Sequence, residues 1–78
     1  MKLIVLNLPR DFDEQSLMEL FQIHGNVSTC VLVMDEKNGQ SKGFGFVDME
    51  HDEEARIAIE KLHGSKIKKN KIRVKPAQ

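Results

Sequence analysis

Cysteine is nearly absent from this chain: Cys30 stands alone, so neither an internal disulfide nor a multi-cysteine metal or redox motif can form. A lone thiol fits a reducing compartment, most simply the cytosol. Long apolar runs are missing too. Leu3-Ile4-Val5-Leu6 stops at Asn7 and is soon followed by Arg10, Asp11 and Asp13, too short a run for a secretory core or a membrane span. No membrane association is expected. Low-complexity sequence is lacking, and 78 residues leave no room for a second domain, so 1–78 reads as one unit with a small core. Charge of one sign is not in excess either, with 12 basic and 12 acidic residues. The charges are nevertheless segregated: Lys66, Lys68, Lys69, Lys71, Arg73 and Lys75 follow Gly64 with no acid among them, and Asp48, Glu50, Asp52, Glu53, Glu54 and Glu60 cluster just upstream.

What is present is organised around Lys42-Gly43-Phe44-Gly45-Phe46-Val47-Asp48-Met49. As a strand, it sends Lys42, Phe44, Phe46 and Asp48 to one face and Gly43, Gly45, Val47 and Met49 to the other. The second set suits packing against helices. Two phenylalanines beside a lysine are costly to leave in water unless something flat and anionic docks on them. Unpaired nucleic acid is both.

Periodicity places the other elements. Lys2 to Asn7 has strand length, and Leu8-Pro9 ends it. Asp13 can cap a helix whose stripe is Leu17, Leu20, Phe21 and His24, with Gly25 expected in the left-handed closing position. Val27 to Met34 is β-branched and strand-like, but both of its faces are apolar, so alternation does not say which is core. Asn38-Gly39 marks a reversing turn into the next strand. Asp52 is expected to cap a second helix with Ala55, Ala58, Ile59 and Leu62 inward and Gly64 as its stop. Lys71 to Lys75 alternates, with Ile72 and Val74 inward, and Pro76 ends it. Strand, helix, strand, strand, helix, strand with right-handed crossovers gives an α+β ferredoxin-like fold: a four-stranded antiparallel sheet with both helices on one face and the other face open.

In this context Lys42 to Met49 resembles the longer ribonucleoprotein motif of the RNA recognition motif family, and Leu3-Ile4-Val5-Leu6-Asn7-Leu8 resembles its shorter partner on strand one. The resemblance runs through the whole chain, including Leu20-Phe21, Gly25-Asn26-Val27 and Ala55, Leu62 and Gly64. It implies a small single-domain RNA-binding protein that catalyses nothing and needs no cofactor, with Lys42, Phe44 and Phe46 meeting single-stranded RNA, or single-stranded DNA as a second ligand. Two positions depart from the family pattern. Met49 replaces an aromatic that packs inward, a change confined to the core. Ile4 replaces a third outward ring, so one stacking platform is lost and weaker or differently registered binding is expected. The family's usual register would set Ile4 opposite Phe46, Leu6 opposite Phe44 and Lys2 opposite Asp48, where Lys2 would offset the acid. Lys71, Arg73 and Lys75 would then border the apolar strip.

Other readings stand beside this one. Ile4, Leu6, Val31, Val33, Phe44 and Phe46 could instead dock a protein partner or a second copy of the chain. An acyl-phosphate hydrolase on the same topology would use Arg10, but Leu8-Pro9-Arg10-Asp11-Phe12-Asp13 has two acids and no glycine to cradle a phosphate. The lysines Lys66, Lys68 and Lys69 could be only a solvated edge. Cys30 reads as a small buried hydrophobe, and His24 and His63 as caps on helix-end carbonyls. With His51 they lack the spacing of a metal site.

Overall fold

A computed structural model describes residues 1–77. Its elements are β1 Lys2–Leu6, α1 Glu14–Gln22, β2 Val27–Met34, β3 Ser41–Met49, α2 Asp52–Leu62, β4 Lys66–Ile67, β5 Asn70–Lys71 and β6 Arg73–Pro76. Four of the strands form one antiparallel sheet in the order β2-β3-β1-β6. This is the expected ferredoxin-like arrangement, with β1 and β3 at the centre. The two helices cover one face. Leu3 and Val5 of β1, Val47 and Met49 of β3, and Val74 of β6 meet Leu17 and Phe21 of α1 and Ala55, Ala58 and Leu62 of α2 there, all of them buried. Met49 is fully buried, as its inward position required. On β2 the ambiguity of two apolar faces is resolved by pairing: Cys30 lies opposite Val47 and Leu32 opposite Gly45, so these two look inward, while Val31 lies opposite Phe46 on the open side.

The close approach of α1 and β2 to the sheet centre depends on Gly45. A β-carbon at that position would sit 2.6 Å from the Val31 carbonyl oxygen and 3.0 Å from Leu17 Cδ2, and a backbone oxygen cannot swing away as a side chain can. The helix ends differ from one another. Asp13 caps α1 as expected, its Oδ1 accepting the Ser16 N–H at 2.7 Å. That bond holds the Asp13 carboxyl below the usual aspartate range. For α2 the cap position is His51, which makes no side-chain capping bond, and Asp52 is the first helical residue, where its charge still favours the positive end of the helix dipole. Gly64 is left-handed at φ 82, whereas Gly25 at φ 159 is nearly extended and does not close α1 in the expected way.

The fourth strand of the sheet starts later than the sequence suggests. Ile72 donates its N–H to the Ser65 carbonyl at 2.9 Å and accepts the Gly64 N–H at 2.8 Å, so its backbone is bound to the segment leaving α2 and not to β1. The same pairing continues as a short hairpin, Lys66 opposite Lys71 and Ile67 opposite Asn70, turned by Lys68 at φ 55. Lys71 therefore belongs to this hairpin, and only Arg73 to Pro76 extends the main sheet.

Gly45→Ala is expected to lose about 1 to 3 kcal/mol of stability through forced overpacking against backbone, read as a lowered urea midpoint with unchanged slope. Asp13→Ala should lower the midpoint modestly above pH 4, and the difference from wild type should shrink progressively at lower pH. The native carboxyl ionises at lower pH than the unfolded one, so its contribution is present above the unfolded value and disappears as pH falls through the native value.

Candidate nucleic-acid interface

The in-register ladder assembles the open face. β1 meets β3 with Lys2 opposite Asp48, Ile4 opposite Phe46 and Leu6 opposite Phe44, and β6 adds Lys75 opposite Ile4 and Arg73 opposite Leu6. One row across the sheet is thus Val31, Phe46, Ile4 and Lys75, running from an apolar edge to a basic one. The two rings stand at its centre, half-buried by their neighbours, with centroids 6.2 Å apart and planes at 81°. An edge-to-face pair presents one ring's face and the other's rim, so the two cannot serve as identical platforms.

The charges near the rings are arranged differently from the expectation. Lys2 does lie opposite Asp48, but its ammonium sits 5.3 Å from the centroid of Phe46, over the ring. The cation beside Asp48 is the N-terminal ammonium, 3.6 Å from Oδ1 and 3.5 Å from Asp52 Oδ1. A cation over an exposed ring is held by only about 0.5 to 1 kcal/mol, little enough for a stacking base to displace it. Lys2, Lys42, Lys71, Arg73 and Lys75 are all exposed, and among the described residues none makes an ion pair. Beside Phe46 the face dips into a hollow of about 560 Å³ between Lys2, Ile4 and Lys75, and beside Phe44 into a second that Lys42 and Arg73 line.

A larger hollow, about 660 Å³, lies off this face between the β1–α1 and β2–β3 loops. Phe12, Leu32 and Met34 line it together with Asp11, Asp13, Glu14 and one side of Arg10. These acids already have partners: Asp11 pairs with Lys68 at 2.6 Å, Asp13 caps α1, and Glu14 Oε2 accepts the Leu32 N–H at 2.9 Å. An acid-rimmed apolar hollow does not suit a polyanion, whereas the cation-bordered sheet face does.

The sequence model of the RNA recognition motif matches residues 3–73. The chain belongs to the RNA recognition motif family. It is 39% identical over 77 residues to the chloroplastic RNA-binding protein CP31B of Arabidopsis thaliana, covering 99% of this chain and 27% of that protein. It is 39% identical over 72 residues to a Sex-lethal homolog of Megaselia scalaris, covering 92% of this chain and 22% of that one. The chain thus spans about a quarter of the length of these curated relatives. Among solved structures, RNA Binding Protein PG1 superposes with a TM-score of 0.95 at 39% identity, covering 99% and 93% of the two chains. A Sxl-lethal protein–RNA complex superposes with a TM-score of 0.95 at 34% identity, covering 99% and 46%. Members of this family bind RNA and are not enzymes, and this chain carries the fold whole.

Within the RNA recognition motif, Lys2, Ile4, Leu6, Lys42, Phe44, Phe46, Arg73 and Lys75 come together on or beside one face, while Lys71 stands apart on the hairpin. Three residues near the Phe44 end were not anticipated there. Asn7, at φ 64, donates Nδ2 to the Lys71 carbonyl at 2.9 Å, and Asn70 donates Nδ2 to the Asn7 carbonyl at 3.1 Å. Asparagine tolerates left-handed backbone, the one sequence cue that Asn7 is more than the end of a strand. Arg10 lies against Gly43. The Lys68 ammonium, read as part of a solvated edge, fixes the hairpin to the β1–α1 loop and holds the Asp11 carboxyl below its usual range through a hydrogen bond. His63 closes α2 through its backbone N–H, which donates to the Ile59 carbonyl at 2.9 Å, while its imidazole turns to the sheet, where Nδ1 accepts the Val74 N–H at 3.1 Å.

Cys30 is half-buried, its Sγ 3.8 Å from the Glu14 carbonyl, and burial followed by the Glu14 charge pushes the thiol up to about 11. Alkylation of Cys30 by iodoacetamide is therefore expected to be slow at neutral pH, to rise with a midpoint near pH 11 in the folded domain, and to return to about 9 in urea. A folded-state midpoint at the urea value would contradict the shielding.

Proposed function

We propose that this domain binds single-stranded RNA across β1 and β3, with Phe44 and Phe46 contacting unstacked bases. In this reading Ile4 and Leu6 give apolar contact, and Lys2, Lys42, Arg73 and Lys75 take phosphates, while Lys71, turned onto the hairpin, is left out. The observation that carries it is the pair of half-exposed rings at the centre of a face whose bordering cations have, among the described residues, no carboxylate partner. Similarity to a solved Sxl-lethal protein–RNA complex supports the choice of polymer. Lys2 moves from the Phe46 ring to a phosphate when a base takes its place, so the interaction lost is small compared with the stacking gained. Ile4 cannot stack, and this leaves affinity to two rings at right angles, one of which serves better than the other. Single-stranded DNA shares the stacking chemistry and is the second ligand. For location, the solitary Cys30 favours a reducing compartment, most simply the cytosol.

A second reading draws on the exposed apolar edge of the same face. Val31 is 50% exposed beside Phe46, and a protein partner or second copy could cover that strip. Salt separates the two, because hydrophobic docking strengthens or holds as salt rises while phosphate contacts weaken.

Phe44→Ala and Phe46→Ala should each weaken binding of short oligoribonucleotides by about 1 to 3 kcal/mol, unequally, as measured by fluorescence anisotropy. Equal affinity of wild type and both variants would reject the stacking role. With about four phosphates neutralised, affinity should fall roughly 50-fold between 50 and 200 mM salt. Salt-insensitive association, or a constitutive dimer that ignores oligonucleotides on size exclusion, would favour the second reading.

A further inference from the structure

At the Phe44 end the open face drops into a hollow of about 480 Å³, of the size that holds one small ligand. Three cations line it, from three separate elements: Arg10 from the β1–α1 loop, Lys42 from β3 and Arg73 from β6. No carboxylate lines it, and among the described residues none of the three cations makes an ion pair. In a chain with 12 bases and 12 acids, three unneutralised cations around one concavity focus positive potential there. Arg10 passes over Gly43, where a β-carbon would lie 3.1 Å from its Nε, so the absence of a side chain there leaves it room.

Asn7 and Asn70 complete the wall. Both spend their Nδ2 on backbone carbonyls, at 2.9 and 3.1 Å. A carbonyl can only accept, so neither amide can be turned over without losing its bond, and each Oδ1 remains as an acceptor. The lining thus offers fixed positive charge together with two acceptors.

We propose that this hollow is a subsite for one further nucleotide, beyond the two that the phenylalanines engage, and that Arg10 is its principal phosphate ligand with Arg73 and Lys42 beside it. The amide oxygens of Asn7 and Asn70 take a donor from the same nucleotide, either its 2′-hydroxyl or an N–H on its base edge. The inference rests on the sheet face being the RNA surface. It adds a length requirement: affinity rises when the strand grows by the nucleotide that enters the hollow.

The test is titration of wild type, Arg10→Gln, Arg10→Lys and Phe46→Ala with oligouridylates of two to six nucleotides at two salt concentrations. For strands long enough to reach the hollow, Arg10→Gln is expected to bind roughly ten-fold more weakly, with the salt slope reduced by about 0.7, and to lose the length increment. Arg10→Lys, which keeps the stem against Gly43 and the charge, should retain the slope. A single 2′-deoxy nucleotide and a single N3-methyluracil at the added position distinguish the two donor sources, and indifference to both would overturn the acceptor role. If Arg10→Gln matches wild type at every length and slope while Phe46→Ala is weakened, the subsite is wrong and the sheet-face reading survives. If Phe46→Ala binds as wild type does, both fall.

Discussion

The pairing of Lys2–Leu6 with Phe44–Asp48 is the constraint on which the rest depends. Side chains alternate with period two, so a slip of one residue would send either Phe44 and Phe46 into the helices or Leu3 and Val5 into water, depending on which strand moved. Burial of Leu3, Val5, Val47 and Met49 on the covered side makes that slip prohibitive, and in doing so holds the two rings outward. The binding surface is thus the reverse side of the core, specified by the same ladder.

Charge neutrality conceals a division of labour. Several acids complete local structure, as Asp13 and Glu14 do at the start of α1, and a cluster of others lies on α2 and the turn before it. The cations bordering the sheet face have no such duties, and neither their count nor the net charge would disclose it. Asp48 is the acid among the outward residues of β3, and it stands beside the N-terminal ammonium. What matters to a polyanion is the local field, which is set by which charges are already paired.

Much of this could be read from the chain because the features concerned are periodic. The outward set on β3, the register against β1, the stripe of α2 and the span of β2 follow from alternation and three-and-four spacing and appear as expected, while the α1 stripe holds as far as Phe21 and the helix ends before His24. The hairpin at residues 66–71 escaped notice because its turn carries Lys68-Lys69, with no glycine, asparagine or proline at the bend, and Lys68 is held left-handed by tertiary contact with Asp11. Arg10 escaped for a related reason. A loop residue has no period, and its neighbours across the fold are known only once β1, β3 and β6 are side by side. The cap of α2 lay one residue earlier than expected because Asp is welcome both at the cap and in the first turn.

The place of β1 between β3 and β6 has a consequence for biosynthesis. β1 acquires its second neighbour only when residues 73–76 have been made, and the hairpin that bonds to Asn7 is made just before them. Until then the nascent domain carries a central strand with one bare edge, and its core lacks Val74. RNA therefore meets a sheet with both edges of β1 paired only after residues 73–76 have emerged.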